Sequence, residues 1–559
     1  MDTVEPLRHW TRHHADRMPH LDWLGKSAVI GHHRKVPLRL LREQPDLHIP
    51  GPPLHTLVEG DNLEALVALL PQYRGRVDCI YIDPPYNTGN ENWVYNDAVN
   101  SPAMRDWLGS VVGRDDLTRH DKWLCMMYPR LVLLREMLHH HNGSIWISID
   151  DNELPSLLGA CNEIFSERNF VACIPWIKRA SPANDARYFS SDHEYIVVFA
   201  ANKDRWTPHR LPRSVEQLKN YRNPDSDARG PWNSVTYTCN KTADERPGLF
   251  YAIRQPNSGS TIWPKRNAVW KYNEEQHLRN VADGLLYWGK NGAATMPRLK
   301  SFLSEMGDVV PRSFLKMEDV GSTQTAQTEL VSIGLSGTFS TPKPTALVER
   351  LLRIGSDKNS IILDCFAGSG TTGHAVMRLN ATDGGSRRCV LVQLGQDQAD
   401  GPNIARSITR ERLARVSAGY TAANGTAVAG LGQGWRYLTL SEHFCDRSGR
   451  PRTDLPFADL APIVFHHATG EALAQPVPER AFLGVSSAGV GVYLLYNGDM
   501  LDKDGRSRNV LTPGMLERLH PHPGERLVYG AACRLDDAML RRHRIVFRQY
   551  PHALAEAGA

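Results

Sequence analysis

Several features that mark membrane, secreted and disulfide-bonded proteins are missing from this sequence. No apolar run approaches the roughly 20 residues that a membrane-spanning helix needs. Residues 1–20 contain no apolar core, so we expect no secretory signal there. The nine cysteines form no Cys-x-x-Cys pair, which argues against a structural zinc site. We therefore expect a cytoplasmic protein with reduced cysteines, without a membrane partner and without a bound metal.

The sequence also lacks a large excess of charge of either sign. Because 65 lysines and arginines face 61 aspartates and glutamates, the formal net charge is only +4, which permits nucleic-acid binding without demonstrating it. The chain has 559 residues, more than one hydrophobic core accommodates, so its length predicts two to four domains. The position of the charges along the chain is therefore more informative than their sum.

Apolar strand patterns alternate with amphipathic helix patterns in two separate stretches. The first covers 55–205 and includes the apolar run 77–82, and the second covers 331–418 and includes the run 360–366. Strands that are apolar on both faces and separated by helices are typical of a parallel sheet. The pattern therefore predicts an α/β fold.

The remaining segments differ from this pattern. Residues 1–54 form a basic N-terminal extension, and residues 430–559 carry strands and helices of their own. We expect the latter to be a smaller C-terminal α/β domain with an accessory role in docking or oligomerisation. An Ala/Gly-rich stretch at 418–434 is typical of a linker.

Residues 206–330 combine weak apolar periodicity with many turn residues and with aromatic side chains interleaved among basic ones. They include Trp206, Arg210, Arg213, Lys219, Tyr221, Arg222, Arg229, Trp232, Tyr237, Lys241, Arg246, Trp263, Lys265, Arg266, Trp270 and Lys271. Because lysine and arginine bind phosphates and a few side chains can read base edges, the composition favours nucleic-acid recognition. A solvated charged face is the alternative.

The first motif with chemical content is Asp83-Pro84-Pro85-Tyr86, directly after the apolar run 77–82. Ligands of a parallel sheet bind at the carboxyl ends of its strands. The two prolines remove two N–H donors, which leaves carbonyl oxygens as acceptors. Asp83 and the Pro84 carbonyl can accept both hydrogens of an aromatic amino group, and Tyr86 offers a flat face to an extruded base. A plain turn is the alternative.

The second motif is a strand, a tight turn and a helix start at residues 363–372 (LDCFAGSGTT). Gly368 and Gly370 allow a ligand to approach the backbone at a helix N-terminus. No lysine follows these glycines and no third glycine completes Gly-x-Gly-x-x-Gly, which disfavours a nucleotide phosphate loop and a dinucleotide site. Asp364 suits a cationic group, such as the α-ammonium of S-adenosylmethionine.

Together the two motifs resemble those of the β-class amino-methyltransferases, in which the substrate motif precedes the cofactor motif. Asp364 follows Asp83 by 281 positions. Over roughly 55–400 the chain is similar to the modification (Mod) subunits of type III restriction–modification systems. The stretches that carry the resemblance are Gly60–Glu64 (GDNLE), Tyr81–Gly89 (YIDPPYNTG), Ser148–Asp151 (SIDD), Phe339–Pro344 (FSTPKP) and Asp364–Ala375. The resemblance implies a Rossmann-like, S-adenosylmethionine-dependent methyltransferase fold with circularly permuted motif order and a target-recognition, DNA-binding insert at 206–330.

The resemblance also implies individual roles. Asp83, Pro84, Pro85 and Tyr86 form the catalytic motif. The implied cofactor-binding residues are Asp61, Lys343, Thr345, Asp364, Phe366, Gly368, Gly370 and Gln393, with Pro344 beside them. Gln393 stands where the family usually carries an acid for the ribose hydroxyls, and glutamine can still hydrogen-bond a diol. For Asp61, capping of the following helix is an alternative.

The implied function is transfer of a methyl group to the N6 amino group of adenine in double-stranded DNA, by direct displacement without a covalent nucleophile. Asp83, where cytosine-N4 enzymes commonly carry serine, favours adenine. A cytosine-N4 enzyme, an RNA or protein-glutamine methylase, and a non-catalytic DNA-recognition subunit are the alternatives.

The resemblance suggests a homodimer. Because the sequence contains no helicase and no evident nuclease motif, DNA cleavage would need a separate restriction subunit.

Overall fold

The structure, a computed structural model, describes residues 21–52, 54–88, 109, 117–182, 186–395, 402–446, 448–473 and 480–554. The predicted extension 1–54 therefore lies partly outside the described residues. The chain divides into two compact units, here called the large unit and the insert unit. The large unit comprises Met1–His209 and Arg312–Ala559, and the insert unit comprises Arg210–Pro311.

The described residues alternate between strands and helices along most of the chain. The strands are β1 Arg39–Glu43, β2 Leu54–Glu59, β3 Cys79–Ile82, β4 Ser144–Ile149, β5 Phe170–Ile177, β6 His193–Ala200, β7 Trp232–Thr236, β8 Ile253–Arg254, β9 Thr261–Ile262, β10 Leu286–Tyr287, β11 Arg298–Phe302, β12 Ile361–Asp364, β13 Arg388–Gln393, β14 Gly419–Thr421, β15 Ala427–Ala429, β16 Gly434–His443, β17 Phe482–Val485, β18 Gly491–Leu494, β19 Val510–Leu511, β20 Arg526–Gly530, β21 Ala532–Cys533 and β22 Ile545–Gln549. The α-helices are Lys26–Val29, Asn62–Tyr73, Arg119–Met137, Leu154–Cys161, Val215–Leu218, Glu274–Ala282, Met317–Val320, Thr323–Ile333, Thr345–Gly355, Thr371–Asp383, Glu411–Ala418, Phe457–Thr469, Pro513–Leu516 and Asp537–Arg542. Among the helices of this described part, none is long and apolar enough to cross a bilayer.

Nine described strands of the large unit form one sheet in the order β1-β16-β2-β13-β12-β3-β4-β6-β5. The neighbours from β16 to β4 pair in parallel, whereas β1 at one flank and β6 and β5 at the other pair antiparallel. Both β3 and β12 are buried at every position, as expected of parallel strands covered by helices on both faces. The predicted α/β fold with a parallel core is confirmed.

The two motif-bearing strands are direct neighbours in this sheet. Cys79 of β3 pairs with Ile362 of β12, and Ile80 pairs with Leu363. Because the two strands run parallel, their carboxyl ends lie at the same edge of the sheet. The topology therefore brings together two motifs that are 281 positions apart.

Local sequence signals start the helices that follow this edge. The helix Arg119–Met137 begins at a capping box, in which Thr118 and Asp121 exchange side-chain-to-backbone hydrogen bonds. The helix Thr371–Asp383 begins after Gly370, whose φ of 80° is in the left-handed region that favours glycine. The starts of these two helices are thus set by nearby residues.

The observed boundaries of the terminal segments differ from the predicted ones. Strand β1 lies inside the predicted extension but pairs with β16, and β16 lies inside the predicted domain 430–559 but pairs with β2. An edge strand needs a distant partner for its backbone groups, and local patterns do not identify that partner. The stretch 418–434, expected to be a linker, contains the hairpin of β14 and β15.

The C-terminal segment has a second sheet of its own. Strands β17, β18, β20 and β22 form it, and the last three run parallel. Phe465 on the helix Phe457–Thr469 shares a buried cluster with Val492 and with Leu38 near the other end of the chain. The segment therefore has α/β character but shares a core with N-terminal residues.

The insert unit is built on a three-stranded sheet, β10-β11-β7, with the hairpin of β8 and β9 beside it. Its core contains Tyr237, Ile253, Trp270 and Trp288, so two aromatic residues of the predicted nucleic-acid surface, Tyr237 and Trp270, are buried. The unit is shorter than the predicted 206–330, because residues 206–209 and those after Pro311 belong to the large unit. Leu315, for example, forms a bridge with Trp176 at the end of β5.

Candidate active site

A cavity of about 210 Å³ opens at the sheet edge where β3 and β12 end. It lies within the large unit. Its lining residues are Tyr81, Asp83, Pro84, Pro85, Tyr86, Thr88, Asp150, Lys178, Glu194, Phe339, Thr341, Pro342, Lys343, Asp364, Phe366, Ala367, Gly368, Ser369, Thr371 and Thr372. Asp83, Tyr86, Lys178, Glu194 and Lys343 are called the charged wall below, and residues 364–372 the loop wall.

The centre of the charged wall is an ion pair between Asp83 and Lys343. Lys343 Nζ donates to both carboxylate oxygens of Asp83, at 2.8 and 2.7 Å. The same ammonium lies 5.0 Å from the ring centroid of Tyr86. The Tyr86 hydroxyl lies 2.9 Å from Asp83 Oδ1 and donates to it. Lys343, expected beside the cofactor, is thus bound to the substrate motif in this structure.

Glu194 and Lys178 complete the charged wall and were not predicted from the sequence. Glu194 Oε1 accepts from Lys178 Nζ at 3.0 Å, while Oε2 lies 3.1 Å from the Tyr86 hydroxyl and 3.5 Å from Lys343 Nζ. Glu194 is the second residue of β6, which runs antiparallel to β4, so the start of β6 lies beside the end of β4. A carboxylate at the start of an apolar strand is the signal that would have identified it.

The charged wall is buried enough to shift its ionisation equilibria. Burial raises the pKa of Asp83 above its ordinary value, although Lys343 opposes that shift. For Glu194, burial alone would raise the pKa, but Lys343 and Lys178 hold it below the ordinary value. Burial alone would lower the pKa of Lys343, but Asp83 and Glu194 raise it. The Lys343 ammonium is therefore charged at neutral pH.

Hydrogen bonds from neighbouring elements hold the substrate motif in place. Trp123, buried in the helix that starts at Arg119, donates from Nε1 to the Pro85 carbonyl at 2.7 Å. Asn87, directly after Tyr86, has a φ of 60°, and its amide donates to Glu153 at 2.6 Å. These two hydrogen bonds anchor the chain on either side of Tyr86.

The loop wall contains one carboxylate, and its bonds are to neutral donors. Asp364 Oδ1 accepts from the Phe366 N–H at 2.9 Å, and Oδ2 accepts from the Thr372 hydroxyl at 2.6 Å. The side chain is buried, and burial raises the pKa of Asp364 to about 7. A cationic ligand in the cavity would favour the ionised carboxylate.

The loop wall is otherwise shaped by backbone. Gly368 has a φ of 52°, and a Cβ there would lie 3.0 Å from Phe339 Cζ. Gly370 has a φ of 80°, and a Cβ there would lie 3.2 Å from the Thr409 carbonyl oxygen. Glycine is thus required at both positions for conformation and for space.

Four of the predicted cofactor residues, Gly370, Gln393, Thr345 and Asp61, do not line the cavity. Gln393 Oε1 accepts from the Gly368 N–H at 2.7 Å. Thr345 accepts from the buried Arg412 guanidinium, which also donates to Ser369 and Thr371.

Asp61 caps the helix Asn62–Tyr73 by accepting from two backbone N–H groups, which is the alternative that the sequence left open. Its carboxylate also accepts from Arg130 at 3.1 Å. Arg130 in turn donates to Asn62, whose amide donates to the Cys365 carbonyl at 3.0 Å. Asp61 is therefore linked to the loop wall through two intermediates.

The thiols nearest the two motifs are buried and protonated. Burial raises the pKa of Cys79 to about 12 and that of Cys365 well above its ordinary value. A thiolate nucleophile is therefore not available at these two positions at neutral pH. The cavity instead presents carboxylates, ammonium groups, hydroxyls, aromatic faces and backbone.

Comparison with known proteins reveals similarity to DNA-modifying enzymes. Residues 77–383 match the family model described as DNA methylase. The Mod subunit of the type III restriction-modification enzyme StyLTI from Salmonella typhimurium is 35% identical, over 74% of this chain and 64% of that protein. The EcoPI Mod subunit from Escherichia phage P1 is 33% identical, over 67% of this chain and 63% of that protein.

A shorter relative is covered more completely. The type II methyltransferase M.KpnI from Klebsiella pneumoniae is 30% identical, over 60% of this chain and 79% of that protein. This chain thus spans less than two thirds of the length of the two Mod subunits, but most of M.KpnI.

Proposed function

This chain belongs to the DNA methylase family, and on that premise we propose that it is a site-specific, S-adenosylmethionine-dependent DNA methyltransferase. The proposed reaction transfers a methyl group to the N6 amino group of adenine in double-stranded DNA. The observation that carries the proposal is that Asp83–Tyr86 and the loop wall face one cavity, at the ends of two adjacent parallel strands.

The substrate motif is the proposed site of the target base. Asp83 and the Pro84 carbonyl each accept a hydrogen bond from one N–H of the amino group. This localises the nitrogen lone pair, which otherwise delocalises into the ring, so that the nitrogen can attack a methyl carbon in line. Tyr86 offers its ring to an adenine extruded from the duplex, and Pro85 keeps the turn rigid. Asp83 is also the base that this wall offers for the proton that the methylated nitrogen releases.

The loop wall fits S-adenosylmethionine by its chemistry. When bound, this cofactor supplies a methyl group activated on a sulfonium. Asp364 is a buried carboxylate suited to a cationic group, and Phe366 presents an apolar face to the cavity. Gly368 lines the cavity and keeps its backbone open to close approach, whereas Gly370 supports the turn, because a Cβ there would meet the Thr409 carbonyl oxygen. Lys343 contacts both walls, because its carbonyl accepts from the Thr371 hydroxyl and its ammonium donates to Asp83.

We assign Gln393, Thr345 and Asp61 a supporting role in cofactor binding. Gln393 orients the Gly368 N–H, and Thr345 is joined to the loop wall through Arg412. Asp61 acts through Arg130 and Asn62. This assignment follows from their hydrogen bonds and replaces the direct contacts expected from the sequence.

The insert unit is the proposed reader of the DNA sequence. It contains fifteen lysines and arginines against ten aspartates and glutamates, a net +5, whereas the whole chain carries +4. The positive excess of the protein is thus concentrated in this segment, and exposed basic residues such as Lys265 and Lys271 would bind phosphates. We further propose a homodimer in the cytoplasm, and a restriction subunit as an additional partner, by analogy with the Mod subunits.

The test is to incubate the full chain with tritiated S-adenosylmethionine and unmethylated duplex DNA, and then to identify the labelled nucleoside after digestion. We expect label in N6-methyldeoxyadenosine. Asp83→Ala is expected to abolish the label and to retain cofactor binding. Asp357→Asn is the matched control, because Asp357 is an exposed acid outside the cavity, and it is expected to behave like the unmodified protein.

Each other outcome points to a different function. Label in N4-methyldeoxycytidine would assign the chain to cytosine. Absence of label from DNA, with cofactor bound, would favour an RNA or protein substrate or the need for a partner chain. Absence of cofactor binding would leave a non-catalytic DNA-recognition subunit as the better account.

A further inference from the structure

The Lys343 ammonium binds the two Asp83 oxygens to which, on the proposed function, the target amino group would donate. It also lies 5.0 Å from the centroid of the Tyr86 ring, on which the target base would stack. One side chain therefore blocks both functions of the substrate motif.

Moving this ammonium is costly unless another carboxylate receives it. Lys343 is only 8% exposed, so it cannot exchange Asp83 for bulk water without leaving the wall. An ammonium withdrawn from its carboxylate inside a protein loses the attraction that offsets its desolvation. The charged wall offers Glu194, whose Oε2 already lies 3.5 Å from Lys343 Nζ.

The orientation of Glu194 is suited to this exchange. Lys178 binds Oε1 at 3.0 Å, which leaves Oε2 directed at Lys343 and Tyr86. The Tyr86 hydroxyl lies within hydrogen-bond distance of both Asp83 and Glu194, so it can change acceptor together with the ammonium. Two carboxylates and two lysines keep the wall neutral before and after the exchange.

We propose that Glu194 is a positioning residue for the target base: it receives the Lys343 ammonium when the target amino group takes the place of that ammonium at Asp83. This inference rests on the proposed methyltransferase function. Glu194 acts through Lys343 and Tyr86, the two side chains that its Oε2 faces. Its charge therefore determines how readily the base enters the site.

The test measures single-turnover methyl transfer to unmethylated duplex DNA as a function of DNA concentration. Glu194→Gln keeps the size of the side chain but removes the charge that receives Lys343. We expect the DNA concentration at half-maximal rate to rise roughly 10- to 100-fold, the range for losing a hydrogen bond to a charged group. The rate at saturating DNA should change less than about threefold, and cofactor affinity less than about twofold.

The decisive variant combines Glu194→Gln with Lys343→Met. In the double variant no ammonium has to move from Asp83 to residue 194. Its DNA concentration at half-maximal rate should therefore return to within about threefold of that of the unmodified protein. A merely structural role of Glu194 would not be rescued by a second substitution. Glu163→Gln is the matched control, because Glu163 also binds a lysine, Lys26, and a tyrosine, Tyr128, away from the cavity.

Failure of this inference and failure of the proposed function would give different results. Normal DNA half-saturation in Glu194→Gln, or no rescue in the double variant, would overturn the inference and leave the methyltransferase function intact. Absence of transfer by the unmodified protein would overturn the proposed function and the inference with it. Should Glu194→Gln unfold, Lys178→Met tests the same exchange through the group that orients Glu194, with an expected rise of roughly three- to tenfold.

Discussion

The two walls of the cavity present ligands with different kinds of surface. The charged wall holds two carboxylates, Asp83 and Glu194, and two ammonium groups, Lys178 and Lys343, each paired with another member of the wall. The loop wall holds one carboxylate, Asp364, bound to a hydroxyl and a backbone N–H, and is otherwise shaped by glycine and backbone. The first wall is rich in exchangeable partners, and the second is preformed.

Because of this difference, the free-energy cost of binding differs between the two walls. A preformed wall requires little ordering on binding, so its affinity depends on shape and on the protonation of Asp364. A wall of paired charges must exchange partners when a target enters, so its performance depends on where each charge can go. Substitutions in one wall should therefore leave the function of the other nearly unchanged.

The largest expected effect is loss of methyl transfer in Asp83→Asn. Asparagine offers one acceptor and adds an N–H donor, which opposes the amino hydrogens of the target. We expect single-turnover transfer to fall at least roughly 1000-fold, while cofactor affinity measured by calorimetry stays within about twofold. A parallel loss of cofactor affinity would contradict the independence of the two walls.

A smaller effect on the opposite wall is expected for Gly368→Ala. At a φ of 52° a Cβ would lie 3.0 Å from Phe339 Cζ, so the backbone or the ring must move. We expect cofactor affinity to fall roughly 10- to 100-fold. Gly384→Ala is the control, since Gly384 has a φ of 65° with nothing within 4 Å of the added Cβ, and calorimetry should find its cofactor affinity unchanged. Equal losses in both variants would assign the effect to backbone strain alone.

The pH dependence of cofactor affinity tests the role of Asp364 in the loop wall. Because burial raises the pKa of Asp364 to about 7, the acid is mostly protonated below that pH in the absence of a ligand. A cationic ligand favours the ionised form, so cofactor affinity should increase as pH rises through 7 and then level off. We expect affinity at pH 6 to be roughly five- to tenfold weaker than at pH 7.5. Asp364→Asn should flatten this profile, and an unchanged slope would assign the titration to another group.

The smallest expected effect lies outside both walls. Lys265→Ala removes one exposed cation from the insert unit. We expect DNA affinity to fall a few-fold, and the slope of log affinity against log salt concentration to decrease by roughly 0.9 if Lys265 contacts one phosphate. Cofactor affinity and the melting temperature should stay the same. A changed cofactor affinity would contradict the assignment of this unit to DNA binding.

The core of the fold and one half of the site were predictable from local patterns. The apolar runs that became β3 and β12 are buried on both faces, and such runs are recognisable without knowing their neighbours. Asp83 directly follows β3 and Asp364 is the last residue of β12. Because ligands bind at the carboxyl ends of parallel strands, both positions were recognisable as candidate site residues. The prolines and glycines beside them act on their own backbone, which is why their effect is visible in the sequence.

Other parts could not be predicted because they depend on contacts across the fold. Lys343 was expected beside the cofactor, but its ion pair with Asp83, which is 260 positions away, was not predicted. Trp270 and Tyr237 were expected on a nucleic-acid surface, yet they are buried in the core of the insert unit. Composition indicates that aromatic residues are present but does not say which of them cover one another.

The sequence by itself determined the two motifs, their strands and their turns, because proline, glycine and apolar periodicity act over a few residues. Only the tertiary structure decided that β3 lies beside β12 and that the start of β6 lies beside the end of β4. That arrangement brings Glu194 to Tyr86 across 108 positions of chain. The physical reason is that strand pairing and charge pairing depend on distances in space, which sequence separation does not encode.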